Sequence, residues 1–324
     1  MITYFHRGLD KGPSIKKVTQ TIVSRIPDKR EYYVPYSGAS IKDIIGNIFF
    51  IFRHRDKKGI NHITGDIHYG IIALIGCKSV LTIHDTVLID YRIKRGIKRF
   101  VAIMLWYKLP ILFATKVICI SHSTKASIQR FTHRNDIIVI HNAIDPLFKQ
   151  SIKPYNFKEP NILIIGTNPN KNIERTVLSL VGISCHLTII GFLSNEQKEL
   201  LRQNDIKYTN KTNLTDKDIV DEYIKADIVS FVTLFEGFGM IIIESNMIGR
   251  PVVCSNIDVL KEVGGESVLY VDPYDTGSIR LGFTSLMKDE KLRSNLVRKG
   301  FENVKRFDDK SIRKMWLAAY ESIS

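Results

Sequence analysis

The chain has 324 residues, of which 44% are hydrophobic and 25% are charged, and its formal net charge is +14. That apolar content excludes a disordered polymer, and the length predicts two folded domains. The excess of positive charge predicts an anionic partner, such as a membrane surface, a nucleic acid or a phosphorylated substrate.

Targeting and redox signals are weak throughout the chain. No apolar run has the length expected of a transmembrane helix, and the first residues read as a β-strand rather than a signal peptide. The 4 cysteines are scattered and show no metal-ligand spacing. These features predict a protein of the reducing cytoplasm.

Short apolar runs alternate with helix-length amphipathic stretches along the chain. The predicted strands are residues 2–5, 32–35, 62–64, 79–83, 116–120, 137–140, 161–165, 186–190, 206–209, 227–233, 252–255 and 268–271. Such alternation predicts an α/β protein with parallel sheets covered by helices on both faces. Since about twelve strands are many for one open sheet, we expect two sheets of about six.

A polar, proline-containing stretch between residues 144 and 160 predicts the domain break. We place the first domain at residues 1–149 and the second at residues 150–306. Residues 307–324 are predicted to form a final helix, because apolar side chains recur on one side of it.

Several polar residues are predicted to lie where strands end. The loop after the first strand contains Gly12, whose freedom allows tight turns and close ligand approach. His84 and Asp85 directly follow the strand at 79–83, and a histidine there can hydrogen-bond a phosphate or a hydroxyl. Asp85 is alternatively a cap beside an incidental histidine. Asp66 and Ser121 are predicted either to border a cleft or to shape loops and caps.

A basic, apolar stretch spans residues 91–115. Its cations are Arg92, Lys94, Arg95, Lys98, Arg99 and Lys108, and residues 49–58 add further basic sequence nearby. A basic amphipathic helix that also carries an aromatic residue is typical of a membrane interface. The alternative is a core helix with a solvated basic face.

The segment GTNPNKN, residues 166–172, follows the first strand of the second half. Gly166 allows a turn there, and Lys171 is predicted at a helix start. A lysine beside free backbone N–H groups suits phosphate binding. The alternative is a solvated lysine.

The most informative segment is LFEGFGMIIIES, which contains Glu236 and Glu244. An apolar strand ends before Glu236, and a helix is predicted from Met240 to Ile248, stopped by Gly249. Glu236 thus lies at the carboxyl end of a strand, and ligands of open α/β sheets bind at that edge of the sheet. The N–H groups of a helix N-terminus favour an anion such as a diphosphate. A carboxylate can accept hydrogen bonds from sugar or ribose hydroxyls. Glu236 alone could instead be a charge at the helix N-terminus that stabilises the helix dipole, and Glu244 alone could be a solvated helix position.

The segment at residues 223–273, YIKADIVSFVTLFEGFGMIIIESNMIGRPVVCSNIDVLKEVGGESVLYVDP, resembles the family 4 (group 1) retaining glycosyltransferases of GT-B fold. The shared features are Glu-x7-Glu, the following G-x-P-V and the E-V-x-G-x-x-x-x-V-x-P tail. Weaker similarity extends over nearly the whole chain.

This resemblance implies two Rossmann-like, doubly wound domains facing a central cleft, with the final helix crossing back onto the first domain. It implies that residues 1–149 bind the acceptor and residues 150–306 bind a nucleotide-sugar. The reaction would transfer a sugar, with retention, from a UDP- or GDP-linked donor to a hydroxyl. No metal and no other cofactor is expected, because a helix N-terminus and a lysine can replace the metal.

The resemblance also assigns roles to individual residues. His84, Glu236 and Lys171 are implied to be catalytic. The remaining donor-binding positions are Gly12, Gly166, Thr167, Gly237, Phe238, Gly239, Met240 and Glu244, and the acceptor or cleft positions are Asp66, Asp85 and Ser121. The family commonly has an arginine where this chain has Thr167 or Asn170, so one phosphate contact is missing or is supplied elsewhere.

The expected acceptor is a lipid-linked glycan of bacterial surface polysaccharide assembly. The expected location is the inner face of the cytoplasmic membrane, with the segment from Arg92 to Lys108 on an anionic surface. Two other interpretations remain open. One is a catalytically silent GT-B subunit of an active partner. The other is a nucleic-acid-binding or nucleic-acid-modifying protein, although no recognition motif supports it and no nucleic acid is expected.

Overall fold

The structure is a computed structural model that describes residues 1–8, 19–21, 23, 26, 28–93 and 95–323. The chain forms two compact units. Unit 1 comprises Met1–Ala143 together with Asp308–Ser324, and unit 2 comprises Ile144–Phe307. The divisions therefore fall at 143/144 and 307/308, where the sequence predicted 149/150 and 306/307.

The strands follow the chain in order through both units. They are β1 (Ile2–His6), β2 (Lys29–Tyr33), β3 (Ile60–Ile63), β4 (Ser79–Ile83), β5 (Lys116–Cys119), β6 (Ile138–Val139), β7 (Asn161–Ile165), β8 (His186–Ile190), β9 (Tyr208–Lys211), β10 (Ile228–Phe231), β11 (Val252–Ser255) and β12 (Leu269–Val271). Within the described residues each unit holds a six-stranded sheet, and the strand pairs are parallel.

Helices connect the strands, as parallel pairing requires. The described α-helices are α1 (Ile41–His54), α2 (Ile97–Ile103), α3 (Leu109–Phe113), α4 (His122–Gln129), α5 (Ile173–Ser179), α6 (Asn195–Gln203), α7 (Asp216–Lys225), α8 (Met240–Ile248), α9 (Asp258–Gly264), α10 (Thr276–Lys288), α11 (Glu290–Val304) and α12 (Asp309–Glu321). None of the helices within the described residues has the length and apolarity needed to cross a membrane.

The strand orders locate the topological switch point of each sheet. Unit 1 has the order β2-β1-β3-β4-β5-β6, and unit 2 has the order β12-β11-β10-β7-β8-β9. In unit 1 the chain runs from β1 to β2 and then continues at β3, on the other side of β1. In unit 2 it runs from β7 through β8 to β9 and then continues at β10, on the other side of β7. The switch points therefore lie between β1 and β3 and between β7 and β10, where ligands of such sheets bind.

The core of unit 1 covers both faces of its sheet. Tyr4 and Phe5 are consecutive on β1, so they point to opposite faces, and each is buried in a different hydrophobic cluster. The cluster around Tyr4 includes Trp316 and Tyr320 of α12. The Tyr4 hydroxyl donates to the Tyr320 hydroxyl (3.1 Å), and His62 Nδ1 is hydrogen-bonded to that hydroxyl (2.9 Å).

The predicted basic amphipathic stretch at residues 91–115 is interrupted near its start. Gly96 has a φ of 81° and separates π-helical Leu88–Arg92 from α2. From α2 the helical path continues through a π-helical turn, Met104–Lys108, into α3. Trp106, the tryptophan of this stretch, is buried and packs edge-to-face on Tyr69 with ring centroids 5.0 Å apart, so it does not face a membrane.

Candidate functional site

In unit 2, hydrogen bonds join the loops that follow β7 and β10. The Leu234 amide and the Thr233 hydroxyl both donate to the Asn170 carbonyl, each at 2.8 Å. The Asn170 side-chain amide donates to the Phe235 carbonyl at 3.2 Å. Asn170, which stands where the family commonly has an arginine, therefore braces the two sides of the switch point.

The braced loops bring Lys171 and Glu236 together. The distance from Lys171 Nζ to Glu236 Oε1 is 2.6 Å, and the two side chains are only 19% and 18% exposed. The ammonium also lies 5.2 Å from the centroid of the Phe231 ring, within cation–π range. A Cβ added to Gly166 would lie 3.0 Å from Lys171 Cε, so the glycine makes room for the lysine stem.

The prediction that Lys171 begins an α-helix needs correction. Lys171 ends a 3-10 turn, Pro169–Lys171, and α5 starts only at Ile173. Asn172 lies between them in the left-handed region, with φ 55° and ψ 38°, and this breaks the helical path. Lys171 therefore reaches the site from a turn rather than from the first turn of a helix.

The helix terminus near Glu236 is that of α8, which begins at Met240 as predicted. Its N-cap, Gly239, has a φ of 124°, and a Cβ there would lie 2.8 Å from Leu260 Cδ2. No described side chain caps this terminus, so its first N–H groups suit an anion. Phe238 is buried, and its ring centroid lies 5.8 Å from that of Phe307, so it anchors the turn between Glu236 and α8. Gly237, in the same turn, is half-buried.

Glu244 lies on α8 and is half-buried. Its Oε2 accepts a hydrogen bond of 2.6 Å from the Tyr223 hydroxyl. Burial, and then the Glu244 charge, raise the pKa of Tyr223 well above its usual value, so the phenol remains a donor. Sequence reasoning missed Tyr223, because no spacing signal links residues on different helices.

Thr167 contacts a third loop of unit 2. Its hydroxyl donates to the Phe192 carbonyl at 2.7 Å, and its own carbonyl accepts from the Gln197 side chain at 3.1 Å. Thr167 thus joins the loop after β7 to the loop after β8. This role is positional, and donor contact by Thr167 remains a prediction.

In unit 1, His84 is buried at the end of β4. Its Nε2 donates to the Thr64 carbonyl at 2.7 Å, because a carbonyl can only accept. Burial lowers the pKa of His84, and the imidazole is therefore neutral at neutral pH with Nδ1 as its accepting nitrogen. The Thr64 hydroxyl is in turn hydrogen-bonded to His6 Nδ1 at 2.8 Å.

Two carboxyl groups accompany His84. Asp66 follows β3, and its Oδ2 lies 3.7 Å from Nη1 of Arg7, which follows β1 at the switch point. Asp85 accepts from the Val87 amide at 2.9 Å, which is the turn-capping role left open from sequence. Burial raises the pKa of both carboxyls, and the Asp66 charge further raises the pKa of Asp85.

Ser121 serves as the N-cap of α4. Its hydroxyl oxygen accepts from the Thr124 amide at 2.9 Å, and the side chain is buried. This is the capping alternative considered from sequence, and contact with an acceptor remains a prediction. Gly12 and Lys94 lie outside the described residues.

Comparison with known families identifies two matching regions. Residues 126–303, more than half of the chain, match the family described as glycosyl transferases group 1. Residues 21–147 match the family described as glycosyltransferase family 4.

Among known proteins, the chain is similar to the O-antigen chain mannosyltransferase B of Escherichia coli, with 31% identity over 106 residues, 33% of this chain and 28% of that protein. It is 25% identical over 227 residues to the O-antigen chain mannosyltransferase RfbU of Salmonella typhimurium, a match covering 65% of this chain and 62% of the relative. The matches thus span less than two thirds of the length of either relative.

Two solved structures establish the fold. Sucrose-phosphate synthase from Thermosynechococcus elongatus aligns with a TM-score of 0.82 at 16% identity, over 100% of this chain and 99% of that chain. Anabaena HepE, solved in complex with UDP-glucose, aligns with a TM-score of 0.80 at 15% identity, over 99% and 100%. The predicted GT-B fold is confirmed, and with the family match it follows that this chain belongs to the group 1 glycosyl transferases.

Proposed function

We propose that this protein is a retaining glycosyltransferase that moves a sugar from a UDP- or GDP-linked donor to a hydroxyl of a lipid-linked glycan. The observation that carries the proposal is the ion pair of Lys171 and Glu236, 2.6 Å apart, at the switch point of unit 2. The N-terminus of α8, which no described side chain caps, begins four residues after Glu236.

The donor diphosphate is assigned to Lys171 and the first turn of α8. Negative charge grows on the phosphate as the sugar leaves, and preorganised cations and N–H groups lower the energy of that step. A lysine ammonium has three donors, so its bond to Glu236 leaves donors for phosphate oxygens. The ion pair also fixes the direction of the lysine before the donor binds.

The two glutamates are assigned to hydroxyl groups of the donor. Glu236 accepts hydrogen bonds from the sugar, and Glu244 accepts them from the ribose. Tyr223 orients Glu244 through its 2.6 Å hydrogen bond, and a carboxylate has capacity for several further donors. In unit 1, the accepting Nδ1 of His84 is assigned to a hydroxyl of the reacting sugar or the acceptor.

Metal independence follows from the same assignment. Lys171 and the α8 terminus supply the positive charge that a divalent cation would otherwise place on the leaving diphosphate. Turnover should persist in EDTA. Complete loss in EDTA, restored by Mg²⁺ or Mn²⁺, would overturn this part of the proposal.

The acceptor and the sugar are suggested by relatives. The similar proteins of E. coli and Salmonella are O-antigen chain mannosyltransferases, which favours a mannosyl donor and a surface-polysaccharide acceptor. HepE was solved in complex with UDP-glucose, which supports a nucleotide-sugar donor. An enzyme of lipid-linked acceptors works at a membrane surface, and we assign that contact to the basic segment from Arg92 to Lys108.

The deciding experiment compares Glu236→Gln with Glu222→Gln. Glu222 is a matched control, because it is a buried carboxylate of unit 2 that pairs with Lys211 (2.9 Å) and Lys225 (2.8 Å). Thermal stability and transfer would be measured with UDP, GDP, ADP and their sugars. Loss of transfer in Glu236→Gln alone supports the proposal.

Two outcomes of this experiment would overturn it. Unchanged turnover in Glu236→Gln would remove the assigned role of that carboxylate. A wild-type protein that is stabilised by no nucleotide and transfers no sugar would instead point to a silent subunit. Product NMR tests the stereochemistry, and an inverted anomer would contradict retention.

A further inference from the structure

The helix α1 of unit 1 is apolar on two sides. On one side Ile44, Asn47 and Ile51 are buried, and the helix packs against the 3-10 helix His68–Leu74. Asn47 is fully satisfied there, because its amide group bonds the Tyr36 carbonyl at 2.9 Å and the Tyr69 hydroxyl at 2.8 Å. This side accounts for the packing of the helix and leaves the opposite side unexplained.

The opposite side carries a stripe of large apolar residues. Ile41, Ile45, Phe49 and Phe52 are 78%, 60%, 57% and 50% exposed. Their spacing of four, four and three residues places them on one helix face, along about 16 Å of helix axis. Contiguous apolar surface of this kind marks an interaction site rather than ordinary surface variation.

Cations border the stripe at its C-terminal end. The Arg53 guanidinium lies 5.5 Å from the Phe49 ring centroid, and the Arg55 guanidinium lies 3.6 Å from that of Phe52. Lys57 and Lys58 follow Asp56 and are exposed, and the Asp56 carboxylate accepts from the Lys58 and Gly59 amides. The single acidic residue of α1, Asp43, accepts from the Ser40 amide in a capping box.

This combination selects one class of partner. Protein interfaces are depleted of lysine, whereas Lys57 and Lys58 lie beside this stripe. A helix with bulky apolar residues on one face and flanking lysines and arginines is typical of one that lies in an anionic lipid surface. The formal charge of +14 adds long-range attraction to such a surface.

We infer that α1 docks unit 1 on an anionic phospholipid bilayer, with Ile41, Ile45, Phe49 and Phe52 among the acyl chains and Arg53, Lys57 and Lys58 on the phosphates. The inference deepens the proposed function by naming the surface on which a lipid-linked acceptor is reached. The biological purpose of the docking rests on the proposed function. The docking itself does not, because the apolar stripe and its cations take no part in donor binding.

A neighbouring segment supports the same assignment. Both α1 and α3 pack against the 3-10 helix His68–Leu74. Helix α2, which precedes α3, exposes Ile97 and Phe100, whose exposed fractions are 79% and 64%. The exposed Lys98 lies beside them. The segment predicted from sequence to meet a membrane is thus linked to α1 through one shared element of unit 1.

The test is flotation of the full chain with phosphatidylcholine vesicles that contain or lack phosphatidylglycerol. Wild-type protein should bind only the anionic vesicles, and salt should weaken binding. The double variant Phe49→Glu, Phe52→Glu should bind at least about tenfold less. The control is Leu281→Glu on α10 of unit 2, which replaces a leucine that is 68% exposed and should bind as wild type.

The outcomes separate this inference from the proposed function. Nucleotide-induced thermal stabilisation, measured without lipid, should be the same in wild type and in the double variant, which also shows that the variant is folded. Equal vesicle binding by both proteins, or none by wild type, overturns the inference and leaves donor binding untouched. A dimer that the double variant dissociates would assign the stripe to a second copy and also overturn it.

Discussion

The two units share a topology but differ in the electrostatics of their switch points. In unit 2 the switch point holds a charged pair, Lys171 and Glu236, at 2.6 Å. In unit 1 the corresponding pair, Arg7 and Asp66, is looser at 3.7 Å. Burial lowers the pKa of His84 and raises the pKa values of Asp66 and Asp85, which favours the neutral form of each group. The same sheet edge therefore suits a charged diphosphate in one unit and neutral hydroxyl groups in the other.

The largest expected effect is that of Lys171→Met on turnover. Removing one preorganised donor from a leaving group that gains charge lowers kcat by about 10²–10³-fold. Steady-state kinetics with the preferred donor would measure it. Lys153→Met is the control, because Lys153 makes an equally short pair, 2.6 Å, with buried Asp227 and lies away from the switch point. An equal loss of kcat in both variants would mean that the Lys171–Glu236 pair acts only structurally, as the Lys153–Asp227 pair does, and would contradict the assigned role of Lys171.

The second effect is acid destabilisation of unit 1. Burial lowers the pKa of His68 to about 4, and its Nδ1 bonds the Trp106 carbonyl at 2.7 Å. Because the folded pKa lies below the unfolded one, the stability from neutral His68 is complete above about pH 6.5 and is lost as the pH falls toward 4. The loss is about 3 kcal/mol for this histidine alone.

Tryptophan fluorescence isolates unit 1 in that measurement, since both tryptophans of the chain, Trp106 and Trp316, belong to it. Urea unfolding between pH 7 and pH 4 should show a falling midpoint. His68→Gln should make the fall smaller, and the part that remains belongs to groups such as His62 and His84, whose pKa values burial also lowers. The raised pKa values of Asp66 and Asp85 act in the opposite direction, so the variant isolates the histidine. A pH-independent midpoint in wild type would contradict the contrast between the units.

The smallest expected effect is that of Tyr223→Phe. Loss of the 2.6 Å hydrogen bond leaves Glu244 less well oriented, and we expect nucleotide binding to weaken by about tenfold, or 1.4 kcal/mol. The control is Tyr270→Phe, which removes a hydroxyl that donates to the Gly265 carbonyl in the same unit. Calorimetric titration with the nucleotide would measure both. Unchanged nucleotide affinity in Tyr223→Phe would contradict the assignment of Glu244 to the ribose.

Much of the fold could be predicted because buried parallel strands read as continuous apolar runs. Strands β4, β7, β8 and β11 and helix α8 have the predicted bounds. Strand β2 was misplaced by three residues at its start, because its sequence KREYY is polar and lies at the edge of the sheet. Apolar patterning carries little information about such a strand.

The site was less accessible to sequence reasoning. Glu236 and Lys171 were proposed separately, but their pairing joins residues 65 positions apart and depends on β7 lying beside β10. The interpretation of Asn170 as a lost phosphate contact did not foresee its bracing hydrogen bonds. The stripe on α1 was overlooked, because apolar residues on two helix faces look like ordinary core until burial separates them.

The return of the chain to unit 1 has a consequence for biosynthesis. Unit 2 is one continuous segment, whereas the core of unit 1 is completed by Trp316 and Tyr320 of α12. On the ribosome, residues 308–324 emerge after all of unit 2, so unit 2 can finish folding while unit 1 still lacks part of its core. A released chain truncated before residue 308 should therefore present a protease-resistant second half and a protease-sensitive first half.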